Sequence, residues 1–201
     1  MDIKIKNEVR QTFKNISNKL KLNNVSLIIR EVKRNKKTLE AMWGVGGSCP
    51  NSKMIELSID PTHPKFKKNK NFLITSIVAH ELNHIVRRRS GINISHCTFL
   101  ECLWSEGLAD YYAVEITGKR PVWNKKLKNK RSLLKKAQPL FNKYCTYKMY
   151  EDWFVIGSKK KKISRWTGYS LGYEMVKKYL KNKKQKWTSL INIPVNQVNF
   201  N

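Results

Sequence analysis

Apolar residues recur at helical spacing over 7–20, where Val9, Phe13, Ile16 and Leu20 share one face, so the chain opens with an amphipathic helix. Asn23-Asn24 breaks it. Residues 25–32 (VSLIIREV) are rich in β-branched side chains and read as a strand, followed by a basic turn over 33–37. A second strand is expected over 39–45 (LEAMWGV), running into Gly46-Gly47-Ser48, and a third over 53–60, where apolar and polar residues alternate. Asp60-Pro61-Thr62-His63-Pro64 stops that strand, because proline removes a ladder donor. The period then changes. Residues 71–88 carry Ile74, Ile77, Val78, Leu82 and Ile85 on one side of a helix that ends in three arginines and Gly91, which suits the negative end of the helix dipole. A second long helix is expected over 98–117, closed by Gly118, and a last one over 170–181, with Leu171, Met175 and Val176 facing inward. Between them, 124–136 reads as a basic solvated face, 138–156 as partly helical packing and 158–162 as a charged loop. Strands gathered before helices define an α+β fold with a small N-terminal sheet and a mainly helical C-terminal half. One domain over 1–186 with a docked tail over 187–201 is the expected organisation.

Composition adds class and location. A hydrophobic fraction of 40% in 201 residues is enough for a sizeable core. No apolar run approaches the ~20 residues of a membrane helix, and MDIKIKNEVR lacks the apolar stretch of a secretory signal. The four cysteines, at 49, 97, 102 and 145, show neither a CxxC pair nor framework spacing, so reduced thiols in a cytoplasmic protein are expected. Net charge is +27. Such an excess steers anionic partners at low salt, and a basic nucleic-acid-associated protein is the alternative reading it supports. Lysine greatly outnumbers arginine, however, and Asn and Ile are plentiful, a bias that an AT-rich genome produces without any partner.

The candidate chemistry lies in the helix over 71–88, at His80-Glu81-Leu82-Asn83-His84. Positions i and i+4 share a helix face, so His80 and His84 can grip one ion, and Glu81 can reach a water beside it. Two neutral imidazoles, a base and an open position describe a catalytic Zn2+ site. Such a site needs a third protein ligand. The HExxHxxGxxH of metzincins is excluded, because Arg87 and Ser90 stand at its last two positions. Ser105-Glu106-Gly107-Leu108-Ala109-Asp110 offers a carboxylate in Glu106, 22 residues after His84, with small residues beside it for close helix approach. Asp110, one turn on, can accept the second N–H of a liganding histidine, His80 in this reading.

The ExxxD after an HExxH resembles thermolysin-like gluzincins, in which the glutamate is the third ligand and the aspartate orients a histidine. From about residue 40 to 181 the chain resembles a bacterial family of predicted zinc-dependent proteases, through Gly44-Val45-Gly46-Gly47, the strand ending at Asp60-Pro61, AHELNHIVR over 79–87, SEGLAD over 105–110 and WTGYSLGY over 166–173. The resemblance implies a zincin-like metallopeptidase fold. It also implies hydrolysis of a peptide or protein substrate by a metal-activated water, with Glu81 as base. Tyr169 and Tyr173 are then candidates to stabilise the transition state, because the late segment is similar to one that carries a tyrosine in related metallopeptidases. Gly44, Gly46 and Gly47 would lie on an edge strand that binds substrate as an added strand. Arg87 would hold a substrate carboxylate or a structural acid, or else compensate the helix dipole. A zincin acting on DNA-bound proteins is the alternative that the charge suggests, but SprT-like proteases of that kind use a third histidine, and none is visible here.

Overall fold

The computed structural model describes residues 1–32, 37–92 and 96–198. They form seven α-helices and three strands: α1 (Ile3–Lys19), β1 (Ser26–Glu31), α2 (Lys37–Ala41), β2 (Val45–Asn51), β3 (Met54–Ile59), α3 (Pro64–Arg89), α4 (Phe99–Thr117), α5 (Lys130–Ala137), α6 (Tyr147–Tyr150) and α7 (Thr167–Lys183). The fold is α+β, as expected. None of the described helices is long and apolar enough to cross a membrane. The chain divides into two compact units, one of Met1–Arg89 and Tyr112–Val122, the other of Ser90–Tyr111 and Trp123–Asn201.

The first unit is built on a sheet of order β1-β3-β2, with β1 parallel and β2 antiparallel to the central β3. The alternation in β3 explains its place: Ile55, Leu57 and Ile59 are fully buried, while Met54, Glu56 and Ser58 are half-covered on the other face. Each of those three core side chains contributes about 1.5–3 kcal/mol. The exposed Arg30–Glu56 pair on the opposite face, at 3.3 Å, contributes about 1 kcal/mol at most, so the apolar face fixes the register. Helix α3 packs on β2 and β3, and α1 packs on α3. Asp2 caps α1 by accepting from the Lys4 amide (2.9 Å), which starts that helix four residues before the expected boundary.

Residues 39–41 are not strand. Leu39, Glu40 and Ala41 are strong helix formers and close the short α2. Trp43 (φ 62°) and Gly44 (φ 84°) then reverse the chain in the left-handed region. The strand begins only at Val45 and runs through the glycines to Asn51. Its pairing with β3 shifts register between Ser48 and Asn51, around Pro50, as an edge strand with a proline should. The basic turn expected over 33–37 lies, up to 36, outside the described residues.

Helix α3 starts seven residues before the expected boundary. His63 Nδ1 accepts the Lys65 amide (3.1 Å), with Pro64 opening the helix. Asn69 (φ −126°, ψ 22°) interrupts the helical backbone, so the periodic segment from 71 is the part beyond a kink. At the far end Arg89 donates to the carbonyls of Ser52 (2.9 Å) and Asn24 (3.1 Å).

The second unit has its own core of Phe99, Cys102, Leu103, Ala137, Trp153, Phe154, Ile163 and Leu171. Its central feature is the crossing of α4 and α7. A Cβ on Gly107 would lie 2.3 Å from the Gly172 carbonyl carbon, and one on Gly172 would lie 1.9 Å from the Leu103 oxygen. The two helices therefore touch backbone to backbone. The small residue after Glu106, expected to admit the helix over 71–88, admits α7 instead. The tail buries Trp187, Leu190, Ile191, Val195 and Val198. Glu101 ties it to α4 by accepting from the Val195 amide and the Ser105 hydroxyl, both at 2.9 Å.

Candidate metal centre

On α3 the side chains of His80, Glu81 and His84 are all buried, about 5% exposed. Helical spacing turns both imidazoles the same way, and the two Nε2 atoms converge to 3.1 Å with the rings edge to face. Two nitrogens binding one tetrahedral zinc at about 2.05 Å lie roughly 3.3 Å apart, so the pair already stands near chelating distance.

Gly47 explains how β2 reaches this helix. A Cβ there would lie 2.6 Å from Glu81 Oε1, 2.7 Å from its Cγ and 2.8 Å from Ile77 Cγ1. The Glu81 carboxylate therefore rests against bare backbone of the edge strand. Gly46 is half-buried and faces Leu39. Gly44 precedes β2 and is buried against His63, where a Cβ would come within 2.7 Å of the histidine Cβ, so its visible work is the turn.

Glu106 and Asp110 lie on α4, one turn apart, and both are buried. Glu106 Oε1 accepts from the Tyr150 hydroxyl (3.0 Å), which lies 3.4 Å from the Tyr169 hydroxyl. Burial, the Glu106 charge and Tyr169 push the Tyr150 phenol well above its ordinary value, so it stays a hydrogen-bond donor throughout the neutral range. Asp110 accepts from the Trp123 indole N–H (2.9 Å) and the Asn124 amide (2.8 Å), one on each oxygen. Tyr173 is buried, with its ring 6.1 Å from that of Tyr111. Arg87 is fully buried, which favours a role inside the fold over contact with substrate.

The candidate ligand atoms of His80, His84 and Glu106 all lie within 4.8 Å of one another. Two imidazole nitrogens and one carboxylate oxygen, all buried and without a thiolate, suit zinc in a three-ligand site with one position open. Among the other histidines, His63 is occupied as a helix cap, and the exposed His96 pairs with the Tyr144 hydroxyl (3.1 Å). Three partners in the site were not expected from sequence: Tyr150, Trp123 and Asn124. Trp123 and Asn124 gave a faint signal, because a buried indole N–H needs an acceptor. Tyr150 gave none.

Outer partners of metal ligands are typically worth 10–100-fold in metal affinity or activity. Tyr150→Phe removes the hydroxyl that donates to Glu106 Oε1 without changing the ring. Where Glu106 ligates zinc, the substitution is expected to weaken zinc binding about 10-fold, measured by chelator competition, and an unchanged affinity would show that Tyr150 does not hold the carboxylate.

Paired imidazoles on one helix with a glutamate between them, and a carboxylate from a second helix, are the donor set of a candidate metal site carrying the HExxH pattern. The chain belongs to the family described as Predicted Zn-dependent protease (DUF2268), whose model matches residues 5–199. That match covers nearly the whole chain, beyond the span of the sequence motifs. No curated protein and no solved structure matches it.

Proposed function

We propose that the protein is a zincin-like, zinc-dependent peptidase in which His80, His84 and Glu106 hold the metal and Glu81 is the general base. The observation that carries this reading is the gathering of those three donors within 4.8 Å, with Glu81 on the same helix. Zinc, when bound, supplies Lewis acidity to the scissile carbonyl and to the attacking water. The Glu81 carboxylate takes a proton from that water and passes it to the leaving amine. Its seat against Gly47 fixes its distance from the edge strand, and an extended substrate adding antiparallel to β2 would bring its backbone past the same carboxylate. The Tyr150 hydroxyl donates to Glu106 and lies 3.4 Å from the Tyr169 hydroxyl, which connects one of the two tyrosines expected from sequence to the proposed ligand. In this reading Asp110 orients His80, with Trp123 and Asn124 holding the carboxylate in place.

The test is metal analysis of the wild type and Glu106→Ala, with cleavage of a peptide library. Stoichiometric zinc is expected in the wild type. In Glu106→Ala the affinity should fall by more than the roughly 100-fold upper range of an outer-partner loss. A wild type without zinc at neutral pH would overturn the site, and undiminished affinity in Glu106→Ala would remove that residue as a ligand.

A further inference from the structure

All four cysteines carry thiols, and three of them converge in the second unit. Cys97 Sγ lies 2.9 Å from Cys102 Sγ. The Cys102 thiol also interacts with the Cys145 thiol. The backbone explains why residues so distant in sequence meet. Thr98 pairs with Tyr144 in an isolated antiparallel bridge, the Cys145 amide donates to the Cys97 carbonyl (3.0 Å), and the Phe99 amide donates to Lys143 (2.8 Å). Cys102 sits one turn into α4, its amide donating to the Thr98 carbonyl (3.0 Å), which brings its side chain under the bridge. It is 7% exposed, whereas Cys97 and Cys145 are half-buried. Solvent thus reaches the two outer thiols, and the shared inner one is covered.

Buried cysteines often serve as small apolar residues. This cluster can do more, because a sulfur–sulfur bond of about 2.05 Å is less than an ångström shorter than the Cys97–Cys102 separation. The hydrogen bond from Cys102 lowers the Cys145 thiol against the opposing effects of burial and the Glu106 charge. The same contacts and burial push Cys102 up. Cys145 is partly exposed beside the covered Cys102, the setting in which cysteines react.

We propose that these residues form a peroxide-oxidisable site, with Cys145 as the reacting thiol, Cys102 as the resolving thiol and Cys97 as a second partner for Cys102. The Cys145 sulfur attacks a peroxide oxygen. The O–O bond breaks, Cys145 becomes a sulfenic acid, and the other oxygen leaves as water with one proton gained. Cys102 attacks the oxidised sulfur, an S–S bond forms, the S–O bond breaks, and the leaving hydroxide takes the Cys102 proton to depart as water. Two thiols have then given two electrons to one peroxide. Exchange follows without further oxidant: Cys97 attacks Cys102, forming the Cys97–Cys102 bond and releasing Cys145 as a thiol.

The test treats the intact protein with hydrogen peroxide, then blocks thiols by alkylation and maps cross-links by mass spectrometry. The wild type should lose two of its four thiols and recover them with dithiothreitol, every cross-link containing Cys102. Cys49, whose Sγ contacts the Asn51 carbonyl in β2 outside this cluster, is the internal control. Cys102→Ala should leave a sulfenic acid at Cys145 that dimedone traps. Cys97→Ser should still form Cys102–Cys145, and Cys145→Ser should slow disulfide formation at least about 10-fold, in line with loss of the thiolate. Cross-links lacking Cys102, four thiols persisting while Cys49 reacts, or full-rate disulfide formation in Cys145→Ser would each overturn the proposal. Cys97→Ser and Cys145→Ser keep it testable if Cys102→Ala does not fold.

Discussion

Glu81→Gln is expected to lower peptide hydrolysis by about 10²–10⁴-fold, the usual contribution of a positioned general base. The substitution keeps the shape of the side chain, so the contact with Gly47 survives, as do the two imidazoles on either side of it. Zinc content should therefore stay stoichiometric while turnover is lost. That split separates a base from a ligand, because removing a ligand lowers both. Cleavage by the Gln variant at more than about a tenth of the wild-type rate would sink the assignment, since a proton acceptor worth so little is not acting as the base.

The largest stability effect is expected at Gly172→Ala, a substitution that changes no charge. Alanine in a helix interior gains about 1 kcal/mol over glycine. Here that gain is overwhelmed, because the new Cβ would stand 1.9 Å from the Leu103 carbonyl oxygen, and the obstacle is backbone rather than a movable side chain. Overpacking of this kind costs roughly 1–3 kcal/mol and occasionally more. Backbone-on-backbone contact belongs at the upper end, so a net loss of about 2–3 kcal/mol is expected. For a chain of this size that corresponds to a midpoint lowered by roughly 4–12 °C in thermal unfolding. Since Leu103 and Gly107 flank Glu106 on α4, zinc affinity should fall as well. A variant as stable as the wild type would mean that the helices can part at no cost.

Much of this was legible in the chain. The long helices were visible because each carries an apolar face at helical period, and β3 because its alternation has period two. The histidine pair and Glu106 were named from spacing and from the need for a third ligand, and their candidate donor atoms lie within 4.8 Å of one another. The errors lie where local and tertiary rules diverge. Leu39, Met42 and Trp43 look like strand residues by hydrophobicity, but the helix formers around Glu40 and the left-handed pair Trp43-Gly44 decide otherwise. The kink at Asn69 hid the first turns of α3. Gly107 was correctly read as a place of close approach, but sequence does not name the partner, and α7 takes it. Tyr150 was invisible because it lies in a segment without clear period, ending in a π-helical turn, and reaches an acid 44 residues away. The thiol cluster escaped spacing rules because a single bridge, Thr98 to Tyr144, brings its members together.

The seat of Glu81 on Gly47 also bears on how such a chain can diverge. Any side chain at position 47 must displace either the edge strand or the carboxylate, though position 47 is itself none of the three candidate donors. Under the proposed function, a descendant bearing one substitution there would keep every letter of HELNH and SEGLAD and the donors for its ion, and yet be a metal-holding scaffold in place of a hydrolase. For a duplicated copy, position 47 would therefore separate catalyst from scaffold where the histidines do not.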